Sequence, residues 1–523
     1  MKKHIIITII LLVAVVAVTV VYFKNLNTTT ASSTGKVMES IPNTAGLVFE
    51  FGNDAGFYDI FKDNDLLTNI AGKQKMQELD LLRRKLLNAP LLKNYFNDQH
   101  IYVSIHGQPA DSISFLITVA GSAIFSKTHI AELAKQAKTG LKITDTKLGG
   151  KNGYSIYLDS LKKTFYVADK GNNIFSGSFS KPLAEQSAGY KPAKGSINYL
   201  QIPDQQNNNS LANLYVNYEQ LTPLFDMFFK STNNSVLKTL RMMPGLAALP
   251  INYRKDALIF NGYTNIQTDK RLSYATLFRK QQPTVSKLKD LLPSTTALST
   301  CFTLSDVKKF AQDLDQFHKN AGLEAEKNTL FKKVKDESGV SLPGKFNGQL
   351  TGEFAVVTTR FDEKFAIIPI KDPQSTRQLM VSISNMATDD VGQFRYNKLP
   401  FFLLGDAFSV FNHPYFMILD GYLILSNSQN ELNSFKDSYD NDKFLNRTDG
   451  FQKFDNLLAE RCNVSYLIHF RNVYPLLKRD MKPSYSTLFN PDGQIGDRLQ
   501  ALSWQLSGAD GSYYTNFCLT FND

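Results

Sequence analysis

Val216-Asn217-Tyr218-Glu219-Gln220-Leu221-Thr222-Pro223-Leu224 and Ile468-His469-Phe470-Arg471-Asn472-Val473-Tyr474-Pro475-Leu476 are the two stretches on which the fold turns. Each runs from a strand-like apolar segment, through an aromatic residue, into a helix-like segment with proline at the same place. They lie 252 residues apart. Three further pairs of segments follow the same order. Ile41-Pro42-Asn43-Thr44-Ala45-Gly46-Leu47 resembles Leu292-Pro293-Ser294-Thr295-Thr296-Ala297-Leu298 at an offset of 251. Ile174-Phe175-Ser176-Gly177-Ser178 resembles Ile424-Leu425-Ser426-Asn427-Ser428 at 250, and Ala257-Leu258-Ile259-Phe260 resembles Ala501-Leu502-Ser503-Trp504 at 244. The identities are few, and the constant order carries the argument. The expectation is a duplication, with one unit at 41–280, a linker at 281–291 and a second unit at 292–523.

Each unit mixes strands with helices. Residues 101–105 and 113–119 predict a hairpin, repeated by 351–359 and 364–370. Residues 154–158, 164–168 and 173–177 predict a meander, with 408–411, 415–419 and 422–426 as its counterpart. Residues 258–264 with 272–278 predict a closing hairpin, mirrored by 501–506 with 513–521. Helices are predicted at 76–87, 130–138, 307–318 and 330–336. Met76, Leu79, Leu82 and Leu86 recur at helical spacing. The fold class is therefore α+β, two duplicated halves, each a mainly antiparallel sheet with packed helices.

Length and composition agree. The chain has 523 residues, too many for one ordinary core, and 43% are hydrophobic, which excludes a disordered chain. Three cysteines, at 301, 462 and 518, give neither a disulfide framework nor a clustered zinc site. Cys301 and Cys518 lie in apolar runs and read as small buried hydrophobes.

The N-terminus carries the strongest local signal. Met1-Lys2-Lys3-His4 precedes 19 uncharged residues, 5–23, with only Thr8 and Thr19 as polar interruptions. A helix of that length spans about 28 Å, close to the hydrocarbon thickness of a bilayer. The run ends Val21-Tyr22-Phe23-Lys24, an aromatic and basic boundary suited to a membrane interface. A cleaved signal peptide is the competing reading, with Ala31 as its cleavage site. Residues 1–24 are read as a single transmembrane anchor and 25–40 as a flexible tether. The large domain is then expected on the extracytoplasmic side.

Chemistry-bearing motifs are scarce. The chain contains no G-x-S-x-G, G-x-x-x-x-G-K-[ST], H-E-x-x-H or C-x-x-C. His100 and His106 could share one strand face, but they would stand about 20 Å apart, too far for one metal ion. His469 replaces Asn217 of the other unit and reads as a polar residue on an outer strand face. Asp63-Asn64-Asp65 and Asp440-Asn441-Asp442 lack the Gly and distal Glu of a calcium loop and read as solvated loops. Residues 205–210 read as an exposed polar loop. No catalytic, cofactor-binding or metal-ligating residue is assigned.

Charge is unevenly distributed. The net charge of +10 divides into +2 from Lys2 and Lys3, +11 over residues 24–290 and −3 over 291–523. Arg83, Arg84 and Lys85 form the densest basic cluster, a candidate contact for an anionic surface such as anionic lipid or an acidic envelope polymer. Another envelope protein is a further candidate partner. Nucleic acid is not expected.

The helix at 5–23, the Ile41-Pro42 opening with its following strand, and the aromatic segment from Tyr218 to Pro223 resemble a family of uncharacterised, single-pass bacterial envelope proteins catalogued as a domain of unknown function. The resemblance implies an envelope location and supplies no catalytic residues. Two functional classes follow. One is a membrane-anchored extracytoplasmic binding or scaffold protein. The other is an envelope hydrolase using carboxylates, which leave no short motif.

The anchor reading predicts that the full-length chain fractionates with membranes and needs detergent for extraction. N-terminal sequencing of the mature protein tests it: a first residue near Ser32 means the segment is a cleaved signal.

Overall fold

The computed structural model describes residues 36–53, 73–97, 99–108, 112–135, 140–192, 212–230, 243, 245–254, 256–266, 273–483 and 498–522. The apolar run at 5–23 lies outside them, as do Asp63-Asn64-Asp65 and residues 205–210. Among the described residues no helix is long and apolar enough to cross a membrane. The chain is α+β, with mainly antiparallel sheet and packed helices. It divides into two compact units, one holding the described residues up to Tyr215 and the other those from Val216.

The first unit contains β1 (Ala45–Gly52), β2 (His100–Gln108), β3 (Ser112–Ala120), β4 (Leu141–Leu148), β5 (Lys151–Leu158), β6 (Lys163–Gly171), β7 (Ile174–Ser178) and most of β8 (Ala212–Asn217). Their order across the sheet is β8-β1-β2-β3-β7-β6-β5-β4. Alternation sorts the side chains. Ile101 and Val103 enter a core with Phe96, Phe125, Ile156, Phe165 and Phe175, while the residues between them face the other way. The helix Lys73–Leu82 docks through Leu82 and through the buried Glu78, whose carboxylate meets Lys163 Nζ at 2.6 Å.

The second unit contains β9 (Gly245–Tyr253), β10 (Ala257–Ile266), β11 (Thr284–Val285), β12 (Thr296–Thr303), β13 (Glu353–Thr359), β14 (Lys364–Pro369), β15 (Ser384–Met386), β16 (Gly392–Phe394), β17 (Tyr415–Leu419), β18 (Tyr422–Ser426), β19 (Arg461–Cys462), β20 (Val464–His469), β21 (Leu499–Ala509) and β22 (Ser512–Phe521). The order of its large sheet is β9-β10-β22-β21-β20-β12-β13-β14-β18-β17-β16-β15. β11 and β19 form a separate short ladder. Asp420-Gly421 and Asp510-Gly511 turn two hairpins with both residues at positive φ, the conformation that matches strand twist in a two-residue turn.

Every residue of β12 is buried, because both faces of the sheet are covered there. Cys301 faces a cluster with Ala355, Val357, Leu432, Phe435, Phe451 and Phe454. The adjacent Phe302 faces the opposite way, into an aromatic cluster where Phe278 and Phe354 lie 5.0 and 5.2 Å from its ring. Phe310 of the helix Val307–Asn320 and Phe408 complete it. Asp306 caps that helix by accepting from Lys309 N at 2.9 Å.

Several expectations need correction. Residues 274–278 form a buried 3-10 helix instead of a strand, and β9 is the hairpin partner of β10. All five residues are buried, so no alternation distinguishes the two conformations in the sequence. Phe408 closes another 3-10 turn, and β16 takes the strand position expected at 408–411. Within the stretch read as a tether, residues 36–40 form a helical turn with Val37 and Met38 buried. Inside the linker, Gln281 is buried and its Oε1 accepts from Asp306 N at 2.9 Å and Ser305 Oγ at 3.0 Å. All three cysteines are buried and free.

His318 is completely buried, with Phe317, Phe401 and Phe402 around it, and neither ring nitrogen has a hydrogen-bond partner. Burial pushes its pKa down to about 4 from 6.5. The unfolded chain therefore binds a proton that the folded chain refuses between these values. The corresponding stability is complete above pH 6.5 and is lost as pH falls toward 4, by roughly 2–3 kcal/mol. His318→Leu should raise the urea midpoint by more at pH 5 than at pH 7.5.

Candidate functional site

An acidic residue inside the apolar strand Ala-Gly-Leu-Val-Phe-Glu-Phe-Gly is the starting point. Glu50 sits on β1 with 2% of its surface exposed. Tyr102 is its direct cross-strand partner on β2, and His100 lies two residues earlier on the same face. Asn213 and Tyr215 approach from β8, again two residues apart. His100 Nδ1 lies 2.8 Å from Glu50 Oε1, and the Tyr102 hydroxyl donates to the same oxygen at 2.7 Å. Asn213 Nδ2 donates to Oε2 at 3.1 Å, joined by the Tyr215 hydroxyl.

Burial alone would push the Glu50 carboxyl up. The hydrogen bond and charge of His100, with the hydroxyls of Tyr215 and Tyr102, outweigh burial and hold the carboxyl below its usual range. Glu50 is thus an ionised, fully wrapped carboxylate. Among these five residues His100 reaches solvent, with 31% of its side chain exposed.

His106 lies farther along the same face of β2 and is completely buried. Its Nδ1 meets Thr44 Oγ1 at 2.9 Å and its Nε2 meets Ser104 Oγ at 2.8 Å. Gln186 Nε2 donates to Thr44, and Ser104 donates to the Leu116 carbonyl. The run of donors therefore places the His106 proton on Nε2. Burial holds its pKa down near 4, so the ring is neutral. His100 and His106 share a strand face and serve separate networks.

Arg83, Arg84 and Lys85 open a π-helical turn, Arg83–Leu87, directly after the helix Lys73–Leu82. Asp80 engages two of them, Arg83 at 2.9 Å and Arg84 at 2.8 Å. Arg84 is 61% exposed, so the cluster faces water with part of its charge offset. His469 is the last residue of β20, directly before the helix Phe470–Asp480, and its side chain is half-buried and not on an outer face, so that burial lowers its pKa to about 4. Among the described residues no group of three His, Cys, Asp or Glu could hold a metal ion.

Sequence reasoning weighed His100 as a metal ligand and passed over Glu50. The available signal was the acid flanked by Phe49 and Phe51. Its partners Asn213 and Tyr215 lie more than 160 residues away, and only folding brings them to it.

No family model matches the chain, and no curated protein matches it. A solved structure described as "Structure of crystal form III of TP0453" is similar at 11% identity over 47% of this chain and 88% of its own, with a TM-score of 0.21. A likeness that distant carries no argument here.

Tyr215→Phe should cost about 1–3 kcal/mol in urea unfolding, because it removes a donor from a buried charge. Tyr439→Phe, which removes a hydrogen bond to the exposed Asp420, should change stability by less than about 0.5 kcal/mol.

Proposed function

We propose that this chain is a membrane-anchored extracytoplasmic binding or scaffold protein, built from two copies of one α+β unit. The observation that carries the duplication is a reciprocal contact. Phe229 and Met481, each directly following an 11-residue helix, form an antiparallel bridge. Lys230 N donates to Asp480 O, and Lys482 N donates to Phe228 O, both at 2.8 Å. An offset of 252 interchanges the two bonds, which supports the reading of two copies. β10 pairs with β22 so that Asn261 opposes Asn516 at the centre of the ladder.

Local details support the same reading. The order β8-β1-β2-β3-β7-β6-β5-β4 matches β20-β12-β13-β14-β18-β17-β16-β15 strand for strand. Register shifts fall at Ala45/Leu47 and at Thr296/Leu298. Ser178 Oγ donates to Phe115 O at 2.7 Å, and Ser426 Oγ donates to Lys364 O at 2.8 Å. Ser180 and Ser428, two residues on, each cap the next helix. Pro223 and Pro475 are each the sixth residue of their helices, beyond the first turn where such a proline costs least.

The basic first half, through Arg83, Arg84 and Lys85, is the part proposed to meet anionic lipid or an acidic polymer. The resemblance to single-pass envelope proteins remains part of this proposal. Glu50 has both carboxylate oxygens committed to hydrogen bonds, which disfavours it as the acid of the hydrolase alternative.

Residues 36–523 should co-sediment with anionic vesicles or acidic polysaccharide at low salt and be released at high salt. Arg83→Glu/Arg84→Glu should weaken binding at least several-fold. Equal partition onto neutral and anionic vesicles, with no polysaccharide bound, would remove the anionic-surface role.

A further inference from the structure

The two halves provide an internal control for the Glu50 network. On the duplicated reading, ladder register aligns Glu50 opposite Tyr102 with Cys301 opposite Ala355, each three residues past its register shift. Ser104 aligns with Val357 in the same way. In the second half Cys301, Ala355 and Val357 belong to a dry apolar core. The same framework therefore closes without a charge at this place. Burying a carboxylate costs several kcal/mol before its partners compensate, so the fold itself does not call for Glu50.

His100 is where the network can change its charge near neutral pH. His100 meets Glu50 from β1, and through the Glu50 carboxylate it is joined to Tyr102 of its own strand and to Asn213 and Tyr215 of β8. Tyrosine hydroxyls titrate near pH 10 and asparagine not at all. His100 is partly exposed, so its proton exchanges with water, whereas Glu50 is sealed. The pair joins the last residues of β1 to the first of β2: Gly52 opposes His100, and Asn53 N donates to Gln99 O at 2.9 Å.

We infer that Glu50 and His100 form a proton-controlled latch in the first half, closed while His100 carries its proton and loosened when that proton leaves. Protonated, His100 offers Glu50 a charge-assisted bond. Deprotonated, it leaves a buried anion with neutral donors only. The charged pair therefore contributes while the imidazole holds its proton, and the contribution is lost as rising pH removes it. That direction is opposite to the loss on acidification expected from buried His106 and His318. The comparison of halves rests on the duplication, whereas the latch rests on the Glu50–His100 geometry alone and stands or falls separately.

The test is a double-mutant cycle on the full chain in detergent, with Glu50→Gln, His100→Gln and both together, measured by urea unfolding at pH 6 and pH 8.5. The coupling between the positions should be about tenfold or more in the unfolding constant at pH 6 and under about twofold at pH 8.5. Equal coupling at both pH values, or none at either, overturns the latch. Should Glu50→Gln not fold, the single variant His100→Gln decides. Wild type should lose stability from pH 6 to 8.5 relative to that variant, and parallel profiles overturn the proposal.

Discussion

A sheet covered on both faces has nowhere to place an unpaired peptide group, and that constraint organises this molecule. In the second unit β12 is buried along its whole length, so its N–H and C=O groups must be met by β13 on one side and β20 on the other. The same demand passes outward through β14 and β18 in one direction and through β21, β22 and β10 in the other. Side chains then divide by alternation. The aromatic cluster at Phe302 and the mixed apolar cluster at Cys301 lie on opposite sides of the same strand.

A ladder fixes backbone positions and leaves the side-chain filling open. On one sheet face the first unit carries Glu50, Tyr102, Ser104 and His106, all buried. In the second unit Cys301, Ala355 and Val357 of β12 and β13 lie together in an apolar cluster. Polar filling is least costly when complete, since an unsatisfied buried donor or acceptor costs about 1–3 kcal/mol. The Glu50 network meets that condition at both carboxylate oxygens, and the His106 network does so at both ring nitrogens. Charge at Glu50 is tolerable because four donors converge on it, and these come from two strands beside its own.

Legibility followed the range of the interactions. The 101–105/113–119 hairpin and the 415–419/422–426 pair were readable because alternation and turn chemistry such as Asp420-Gly421 are local. The helix expected at 307–318 forms over Val307–Asn320. The 3-10 segment at 274–278 was not, because an apolar pentapeptide buried on all sides shows no period. β9 was missed because Gly245-Leu246-Ala247-Ala248-Leu249-Pro250 has weak strand propensity and pairs through β10. Arg83, Arg84 and Lys85 were found as a cluster, but Asp80 as the shared partner of Arg83 and Arg84 emerged from helix geometry.

The sequence by itself determined most local hairpins and helices, the α+β class and the basic character of the first half, since each is a sum over neighbouring residues. It also held the repeat of order that suggests two copies. Tertiary structure alone decided which strands meet, which face of each is dry, and that Glu50 is a wrapped anion beside a partly exposed histidine. The reason is physical. Composition and period act over a few residues, whereas the carboxylate of Glu50 acquires its environment from His100, Tyr102, Asn213 and Tyr215, up to 165 positions away.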